Sequence, residues 1–400
     1  MLQGKTVILG VSGGIAVYKA VELLRLLTKA GAQVHVVMTR NAQQFVTPLT
    51  FQTLSGNPVH TDLFNLHQEQ EIGHISLADR ADLFILAPAT ANLIGKIAQG
   101  LADDLLSTSV MATKAPVLVV PAMNTNMYEN PLYKRNEKIL LEHGYHVLEP
   151  ATGSLACGWE GQGKLPAPET ILETAEAVLA PKDLLGCHIL LTAGPTREEI
   201  DPVRYLTNYS SGKMGYAAAA VAARRGATVT LVSGPTNLTV PTGVKCVPVC
   251  STGEMRAAVL EHVESAEVII KAAAVADYRP SVRVEQKMKK TGDGLTLQLE
   301  RTPDILAELG ARKGDKILIG FAAETERLLI HAAEKLKKKN LDMIVANDVT
   351  RPGAGFNVDT NIVRFLYADG RVEELGLMSK MLVAEKLLDQ VARLWSAKRR

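Results

Sequence analysis

The sequence predicts an α/β protein of two doubly wound domains, and two observations support this fold class. An apolar strand, a glycine-containing turn, an amphipathic helix and a second strand follow one another over residues 5–39, and the same scheme returns over residues 188–233. Such βαβ openings begin doubly wound sheets, in which ligands bind beyond the carboxyl ends of the strands. Hydrophobic residues make up 47% of the chain but aromatic residues only 4%. This composition is typical of Val-, Ile- and Leu-rich parallel strands buried under helices.

A polar stretch that contains Pro and Gly, residues 180–186, marks the predicted boundary between the domains. A chain of 400 residues suits two domains, which usually hold about 100–200 residues each. We therefore predict one domain over 1–186 and a second over 187–400. Apolar runs between helical segments predict further strands, at 83–89 and 117–123 in the first domain and at 267–275, 316–324 and 342–348 in the second.

The bulk composition excludes several classes of function. Lys and Arg total 44 against 42 for Asp and Glu, so no strong field attracts nucleic acid or a membrane surface. The apolar run near the N-terminus is too short for a signal peptide or a membrane span. The four cysteines lack paired spacing, so neither a disulfide framework nor a zinc site is predicted. We expect a cytoplasmic protein with reduced thiols.

The first strand ends in a glycine-rich turn, Gly10-Val-Ser12-Gly13-Gly14. Its backbone N–H groups lie at a helix N-terminus, which suits a phosphate, although many such turns bind nothing. The spacing is not that of a dinucleotide-binding fingerprint, because Thr39 stands after the second strand where a carboxylate would be needed.

Two more polar loops follow predicted strands. One contains Pro88, Ala89, Thr90 and Asn92, and the other begins at Asn124. Each alone could be an ordinary connection between a strand and a helix. Together with the glycine turn they predict a shared pocket at the carboxyl edge of one sheet.

The segment 153–164 holds four glycines and one cysteine. This composition predicts a mobile flap that closes over a ligand. Cysteines are usually buried and inert. Cys157, however, lies between small residues in such a flap, so we expect it to be exposed and to take part in the reaction. Lys164 could pair with an anionic substrate. His74, a lone histidine, is by its spacing more often structural than catalytic.

The motifs GVSGGIAVYK, APATANLIGK, PAMNTNM and GSLACGWEGQGK, with His74, resemble the phosphopantothenoylcysteine decarboxylases, a flavin-dependent cysteine decarboxylase family, over residues 1–180. The resemblance implies a flavodoxin-like domain with FMN. In that family the substrate thiol is oxidised first, carbon dioxide then leaves, and the flavin returns its hydride. Matching positions imply that Cys157 donates the proton, Asn124 holds the carboxylate, and His74 acts as a base or electrostatic partner.

The second half carries a different set of motifs. Ser210, Ser211, Gly212 and Lys213 offer hydroxyls, N–H groups and a cation at a helix start, without matching a Walker motif. This turn could equally be a plain helix cap. Asp277 follows an apolar strand, where its carboxylate could bind a ribose, a base or a metal. The lysine run 287–290 by composition is more often a solvated face.

Taken together, AGPTREEIDPVRYLTNYSSGKMG, AAAVADY, KMKK, TPDIL, GFAAET and KLKKKNLDMIVAND resemble the bacterial phosphopantothenate–cysteine ligases from about 188 to 390. The resemblance implies a Rossmann-like domain that activates phosphopantothenate with CTP as an acyl-cytidylate, which L-cysteine then attacks. It assigns charge stabilisation at the phosphate to Lys287 and handling of the acyl-cytidylate to Asn208. The implied CTP-binding positions, which include Lys287, are Ala273, Asp277, Pro303, Asp304, Ile305, Leu306, Phe321, Lys335 and Lys339. Mg²⁺ is expected to neutralise polyphosphate charge, but the sequence does not identify its protein ligands.

Two other functions were considered for the first half, and the sequence argues against both. Some flavodoxin-like relatives of the decarboxylases are phosphatase-inhibiting regulatory subunits with acidic tails, which this chain lacks. FMN prenyltransferases share the flavin loops but lack the ACG flap and a ligase half. The resemblance further implies decarboxylase trimers and ligase dimers, and hence a homo-dodecamer.

Overall fold

A computed structural model describes residues 2–63, 73–154, 158–289, 295–324, 327–348, 350–351, 353, 355 and 357–399, with side chains left out at 73–74 and 324. The chain divides into two compact units, Met1–Ala180 and Pro181–Arg400, called unit 1 and unit 2 below. This division lies six residues before the predicted boundary. The prediction of two doubly wound α/β folds is confirmed, since each unit is a mainly parallel sheet with helices on both faces.

Unit 1 is built on a six-stranded parallel sheet of order β3-β2-β1-β4-β5-β6. Its elements are, in chain order, β1 (Thr6–Val11), α1 (Val17–Lys29), β2 (Gln33–Met38), α2 (Pro48–Ser55), β3 (Val59–His60), α3 (Gly73–Arg80), β4 (Leu83–Ala89), α4 (Ala91–Ala98), α5 (Leu105–Ala112), β5 (Val117–Pro121), α6 (Thr125–Glu129), α7 (Pro131–Glu142), β6 (His146–Val147), β7 (Ala151–Ser154), β8 (Glu160–Lys164) and α8 (Pro168–Leu179). The chain moves outward from β1 in one direction through β2 and in the other through β4. The switch point between β1 and β4 is where such sheets bind ligands.

The two faces of the unit 1 sheet carry separate cores, because successive strand residues point to opposite faces. In β1, Val7, Leu9 and Val11 pack with α1, α2 and α8, while Ile8 packs with α3, α4, α5 and α7 on the other face. All four of these strand side chains are fully buried. Helices on both faces therefore hold the carboxyl ends of the strands in fixed positions.

Unit 2 is built on an eight-stranded sheet of order β13-β12-β9-β14-β17-β18-β19-β20. Its elements are β9 (His188–Ala193), β10 (Arg197–Glu199), β11 (Tyr205–Thr207), α9 (Lys213–Arg224), β12 (Thr228–Ser233), β13 (Val244–Pro248), α10 (Thr252–His262), β14 (Val268–Lys271), β15 (Tyr278–Pro280), β16 (Leu299–Arg301), α11 (Ile305–Ala311), β17 (Ile317–Glu324), α12 (Leu328–Lys338), β18 (Met343–Asp348), β19 (Thr360–Tyr367), β20 (Val372–Ser379) and α13 (Lys380–Lys398). The first six strands in this order, β13, β12, β9, β14, β17 and β18, run parallel. Strands β19 and β20 are antiparallel and form one edge of the sheet. The switch point lies between β9 and β14.

One core of unit 2 packs α9 and α13 against the sheet, and the other packs α10, α11 and α12 against the opposite face. Side-chain caps begin several of these helices: Ser251 accepts from the Glu254 N–H, Asp304 from the Ala307 N–H and Ser379 from the Leu382 N–H. Each cap satisfies a backbone donor that a helix start leaves open. Among the described residues, no helix is long and apolar enough to cross a membrane.

Candidate functional sites

Unit 1 has a cavity of about 330 Å³ where β1 and β4 end. The residues that line it come from the turn after β1, the segment after β2, the start of α4 and the loop before α6. They are Ser12, Gly13, Gly14, Thr39, Asn41, Thr90, Ala91, Asn92, Leu93, Lys96, Asp104, Ala122, Met123 and Met127. This is the edge of the sheet at which a ligand was expected.

Ser12 joins the two strand ends that form the floor of the unit 1 cavity. Its hydroxyl donates to the Pro88 carbonyl at 2.7 Å and accepts from the Thr90 N–H at 2.9 Å. The Ser12 side chain is only 2% exposed, so these bonds are protected from water. Thr90 in turn caps α4 by accepting from the Leu93 N–H. The network holds the open N-terminus of α4 beside the glycine turn.

Most of the predicted flavin-loop residues meet at this cavity. Ser12, Gly13, Gly14, Thr39, Thr90 and Asn92 line it. Gly10, Pro88 and Ala89 are buried and do not line it. A Cβ at Gly10 would lie 2.6 Å from a methyl carbon of Leu106, so Gly10 serves close packing under the cavity.

Asn124 begins α6, and its side-chain oxygen accepts from the Asn126 N–H at 2.9 Å. The residues just before it, Ala122 and Met123, line the cavity, whereas Asn124 does not. The predicted flap borders this loop. Its ends form the antiparallel hairpin β7–β8 rather than an open loop, and the Gly163 carbonyl accepts from the Met123 N–H at 3.0 Å.

Lys164 ends β8 with an exposed side chain. It lies near Lys19 of α1, whose pKa is lowered first by burial and then by the positive charge of Lys164. The Lys19 ammonium donates to the Leu165 carbonyl at 3.2 Å. Two cations thus stand beside the hairpin. Cys157 and the side chain of His74 lie outside the described residues.

Asn41, Lys96 and the two methionines of the unit 1 cavity were not predicted as site residues. Lys96 lies within 2.7 Å of Asp103 and 3.0 Å of Asp104. The hydrogen bond with Asp103 contributes most to raising the pKa of Lys96, so this cation is fixed at the cavity wall. Lys96 is the last residue of the motif APATANLIGK, and this position could have identified it as a site residue from the sequence.

Unit 2 has a larger cavity of about 720 Å³ at the carboxyl ends of β14, β17 and β18. Five separate sequence segments bring predicted residues to it. These residues are Asn208, Ser210, Ser211, Gly212, Lys213, Ala273, Asp277, Pro303, Asp304, Ile305, Leu306, Phe321, Lys335 and Lys339. Most of these segments follow or flank a strand end near the switch point, whereas Phe321 lies within β17 and Lys335 lies within α12.

The segment before α9 forms one wall of the unit 2 cavity. The Asn208 amide donates to the Ala274 carbonyl at 3.0 Å, which joins this wall to the loop after β14. Gly212 has φ 78°, a left-handed conformation that favours glycine. A Cβ there would also lie 2.8 Å from a methyl carbon of Thr236. Lys213 pairs with Asp359 at 2.6 Å.

The opposite wall is formed by the start of α11 and the end of α12. Asp304 lies 3.0 Å from the Lys339 ammonium. Burial raises the pKa of Asp304, but the Ala307 N–H and the Lys339 charge outweigh it and leave the pKa below its usual range. The carboxylate therefore stays ionised and positions Lys339.

Lys287 is the predicted residue that does not line this cavity. Its side chain is exposed. The next residue is tied down elsewhere, because the Met288 N–H donates to Asp201 at 3.2 Å and its carbonyl accepts from Arg204 at 3.3 Å.

Several cavity residues of unit 2 were not predicted: Lys271, Arg301, Asn347, Asn361 and Lys380. Lys271 and Lys380 are each 7% exposed. They are far apart in the sequence, so only the topology reveals that they share a cavity. Among the described residues, no group of three or more His, Cys, Asp or Glu side chains could hold a metal ion.

Two domain families match the chain. Residues 1–180 match the family described as Flavoprotein, and residues 184–394 match the DNA/pantothenate metabolism flavoprotein C-terminal domain. The chain is 52% identical to the coenzyme A biosynthesis bifunctional protein CoaBC of Bacillus subtilis, an alignment that covers 98% of each protein. It is 48% identical to the CoaBC protein of Escherichia coli K12, over 100% of this chain and 99% of that protein.

Among solved structures, the C-terminal domain of a CoaBC protein is 47% identical, with a TM-score of 0.47, and covers 54% of this chain and 99% of that domain. The fold, the two cavities and the two family matches define a two-domain α/β flavoprotein with a candidate ligand cavity in each unit. The near full-length identity then sets the family: the chain belongs to the bifunctional CoaBC enzymes of coenzyme A biosynthesis.

Proposed function

We propose that unit 2 couples 4′-phosphopantothenate to L-cysteine with CTP, and that unit 1 decarboxylates the resulting 4′-phosphopantothenoylcysteine to 4′-phosphopantetheine with FMN. One observation supports this proposal most strongly. Apart from Lys287, the residues that resembled the nucleotide and substrate positions of a ligase come from five separated segments and line a single cavity of about 720 Å³ in unit 2.

The chemistry of that cavity suits the activation of a carboxylate. Lys213, Lys335 and Lys339 bring positive charge to it, as a triphosphate requires. The N-terminus of α9, at Gly212 and Lys213, adds backbone N–H groups for a phosphate. The Asn208 amide, held by Ala274, borders the space where the acyl-cytidylate would form. Mg²⁺ would enter with the nucleotide and offset the remaining phosphate charge.

The unit 1 cavity has groups that fit FMN. The N–H groups of Gly13 and Gly14 and the hydroxyl of Thr90 suit a phosphate and a ribityl chain, and Met123 and Met127 suit a flat ring. The flavin, when bound, accepts and returns a hydride. From the resemblance, Asn124 would hold the substrate carboxylate, His74 would act as base or electrostatic partner, and Cys157 would donate the last proton. Lys164, beside Lys19, would meet an anionic part of the substrate.

The family resemblance also suggests an assembly of trimers through unit 1 and dimers through unit 2, making a dodecamer. Exposed apolar side chains on both units agree with such contacts, among them Ile15, Tyr18, Val203 and Val282. The mass of the particle in solution tests this part of the proposal.

The activity is tested by supplying phosphopantothenate, CTP, Mg²⁺ and cysteine to the purified protein and measuring 4′-phosphopantetheine. Product should form only when all four are present. The protein should also be yellow and release FMN on denaturation. Release of FAD, or a colourless protein that FMN does not reconstitute, would refute the assignment of unit 1. Ligation with ATP but not CTP would refute the choice of nucleotide.

A further inference from the structure

Lys271 is the last residue of β14, beside the switch point of the unit 2 sheet. It lies in register with Thr192 of β9 and Gly320 of β17. Ile269, two residues earlier, packs in the core under α10, α11 and α12, so the Lys271 side chain points to the same face. Gly320 has no side chain, and methyl carbons of Leu341 and Leu306 lie within 3.1 Å of where its Cβ would be, so apolar groups pack closely beside this strand end.

The charges around Lys271 leave its ammonium incompletely balanced. The groups that act on it are Lys339 of α12, Asp304 at the start of α11, and Asp277 in the loop after β14. Asp304 is already bonded to Lys339, at 3.0 and 3.2 Å. Burial, the largest influence, and the positive charge of Lys339 lower the pKa of Lys271, the two carboxylates raise it, and together they bring it to about 8.

Lys380 of the same cavity provides a direct comparison. Both lysines are 7% exposed. The Lys380 ammonium donates to the carbonyl oxygens of Val358 at 2.6 Å and Gly355 at 3.2 Å. Lys271, in contrast, donates no hydrogen bond to any residue within the described part of the chain. A buried cation without a partner is costly, and such residues concentrate at functional sites.

We propose that Lys271 binds the polyphosphate of the activating nucleotide, together with Lys335 and Lys339 at the same wall of the cavity. This inference rests on the proposed use of CTP by unit 2. All three lysines line one cavity, and an anion there would supply the partner that the Lys271 ammonium lacks. Inside a protein such a charge-assisted contact is stronger than in water.

Nucleotide binding at Lys271 should also be accompanied by proton uptake from the solvent. With a pKa of about 8, the Lys271 amine is charged well below pH 8 and neutral well above it. An anion beside it favours the charged form and raises the pKa. At pH 8 about half of the empty molecules would lack this proton, so nucleotide binding should take up roughly half a proton per site.

Calorimetric titration of the whole protein with CTP and Mg²⁺ at pH 8, in two buffers of different ionisation enthalpy, measures this uptake. Wild type should take up about half a proton. Lys271→Met should take up none and bind CTP at least about tenfold more weakly. The matched control is Lys182→Met, which removes another unit 2 lysine with a lowered pKa, away from the cavity. It should keep both the uptake and the affinity.

Thermal unfolding separates binding from folding. Lys271→Met removes a largely buried cation that has no hydrogen bond to the described residues, so the empty variant should melt at or above the wild-type temperature while CTP raises that temperature less. If wild type takes up no proton, or if Lys271→Met binds CTP as wild type does, the role of Lys271 is overturned although CTP use stands. If wild type fails to bind CTP in either buffer, both the role of Lys271 and the proposed nucleotide are overturned.

Discussion

The Met123 N–H donates to the Gly163 carbonyl across 3.0 Å, and the two backbones lie too close for any side chain at position 163. A Cβ on Gly163 would lie 2.3 Å from the Met123 carbonyl oxygen. Gly161 is similar, since its Cβ would lie 2.6 Å from the Thr125 hydroxyl. The two glycines therefore let β8 pack directly on the loop that ends at Asn124.

Gly163→Ala should displace the β7–β8 hairpin from this loop and weaken decarboxylation. The position has φ 145°, so the change adds backbone strain of about 1–3 kcal/mol to the steric overlap. Carbon dioxide release and thermal unfolding measure the two effects. Gly144→Ala is the matched control, because Gly144 has φ 83° but a Cβ there would meet no heavy atom within 4 Å. Equal loss of activity in both variants would argue against a specific role for the contact.

Ser12→Ala should weaken flavin retention. The change leaves the Thr90 N–H and the Pro88 carbonyl without their side-chain partner, at a cost of about 1–3 kcal/mol for a buried group. The start of α4 would then be held less firmly against the glycine turn. The ratio of bound flavin to protein after dialysis measures the effect.

Ser109→Ala is the control for this change. Ser109 is equally buried, but its hydroxyl donates to the Leu105 carbonyl within α5, at 2.8 Å and away from the cavity. This variant should keep its flavin. If Ser12→Ala also keeps flavin as tightly as wild type, the cavity beside β1 and β4 is not the flavin site.

Cys157→Ser tests the order of steps in unit 1. Oxidation of the substrate thiol and loss of carbon dioxide precede the step that needs the Cys157 proton. The variant should therefore still bleach its flavin and release carbon dioxide, and then accumulate an oxidised enethiol product. Absorbance of the flavin and mass spectrometry of the product check this outcome. A flavin that substrate never reduces would show that the proton-donor role is wrong.

Much of this architecture could be predicted from the sequence because buried parallel strands leave a strong signal. The strand predicted at 83–89 matches β4 to the residue. The strand predicted at 267–275 was too long, since β14 ends at Lys271. The alanines that follow are apolar, yet the Ala273 N–H donates to the Thr192 side chain instead of extending the strand. Small residues there keep the cavity open, and hydrophobicity alone does not separate that role from a strand.

Other features of unit 2 could not be predicted because they depend on contacts between residues that are far apart in the sequence. The antiparallel pair β19–β20 and the helix α13 were not predicted, although β19 alternates buried and less buried residues. Lys380, at the start of α13, reaches the unit 2 cavity only because that helix packs beside α9. Motif matching found fourteen of the residues that line the unit 2 cavity, but it did not identify Lys271, whose importance lies in its burial and surroundings.

Lys287→Gln tests the predicted ligase residue that lies outside the unit 2 cavity. The variant keeps a similar length and hydrogen-bonding capacity but removes the cation. If Lys287 meets the attacked phosphate of CTP during the reaction, ligation should fall by on the order of 100-fold or more, whereas decarboxylation of supplied phosphopantothenoylcysteine should stay near wild type. The exposed position of Lys287 outside the cavity gives the competing expectation that neither activity changes.

Lys289→Gln provides the control for this test, because Lys289 is also exposed and lies two residues further along the same segment. A loss of ligation confined to Lys287→Gln would support a specific contact with the nucleotide. Equal losses in both lysine variants would indicate a general effect of positive charge in residues 287–289. Parallel loss of ligation and decarboxylation in one preparation would instead indicate misfolding, so both assays belong on the same sample.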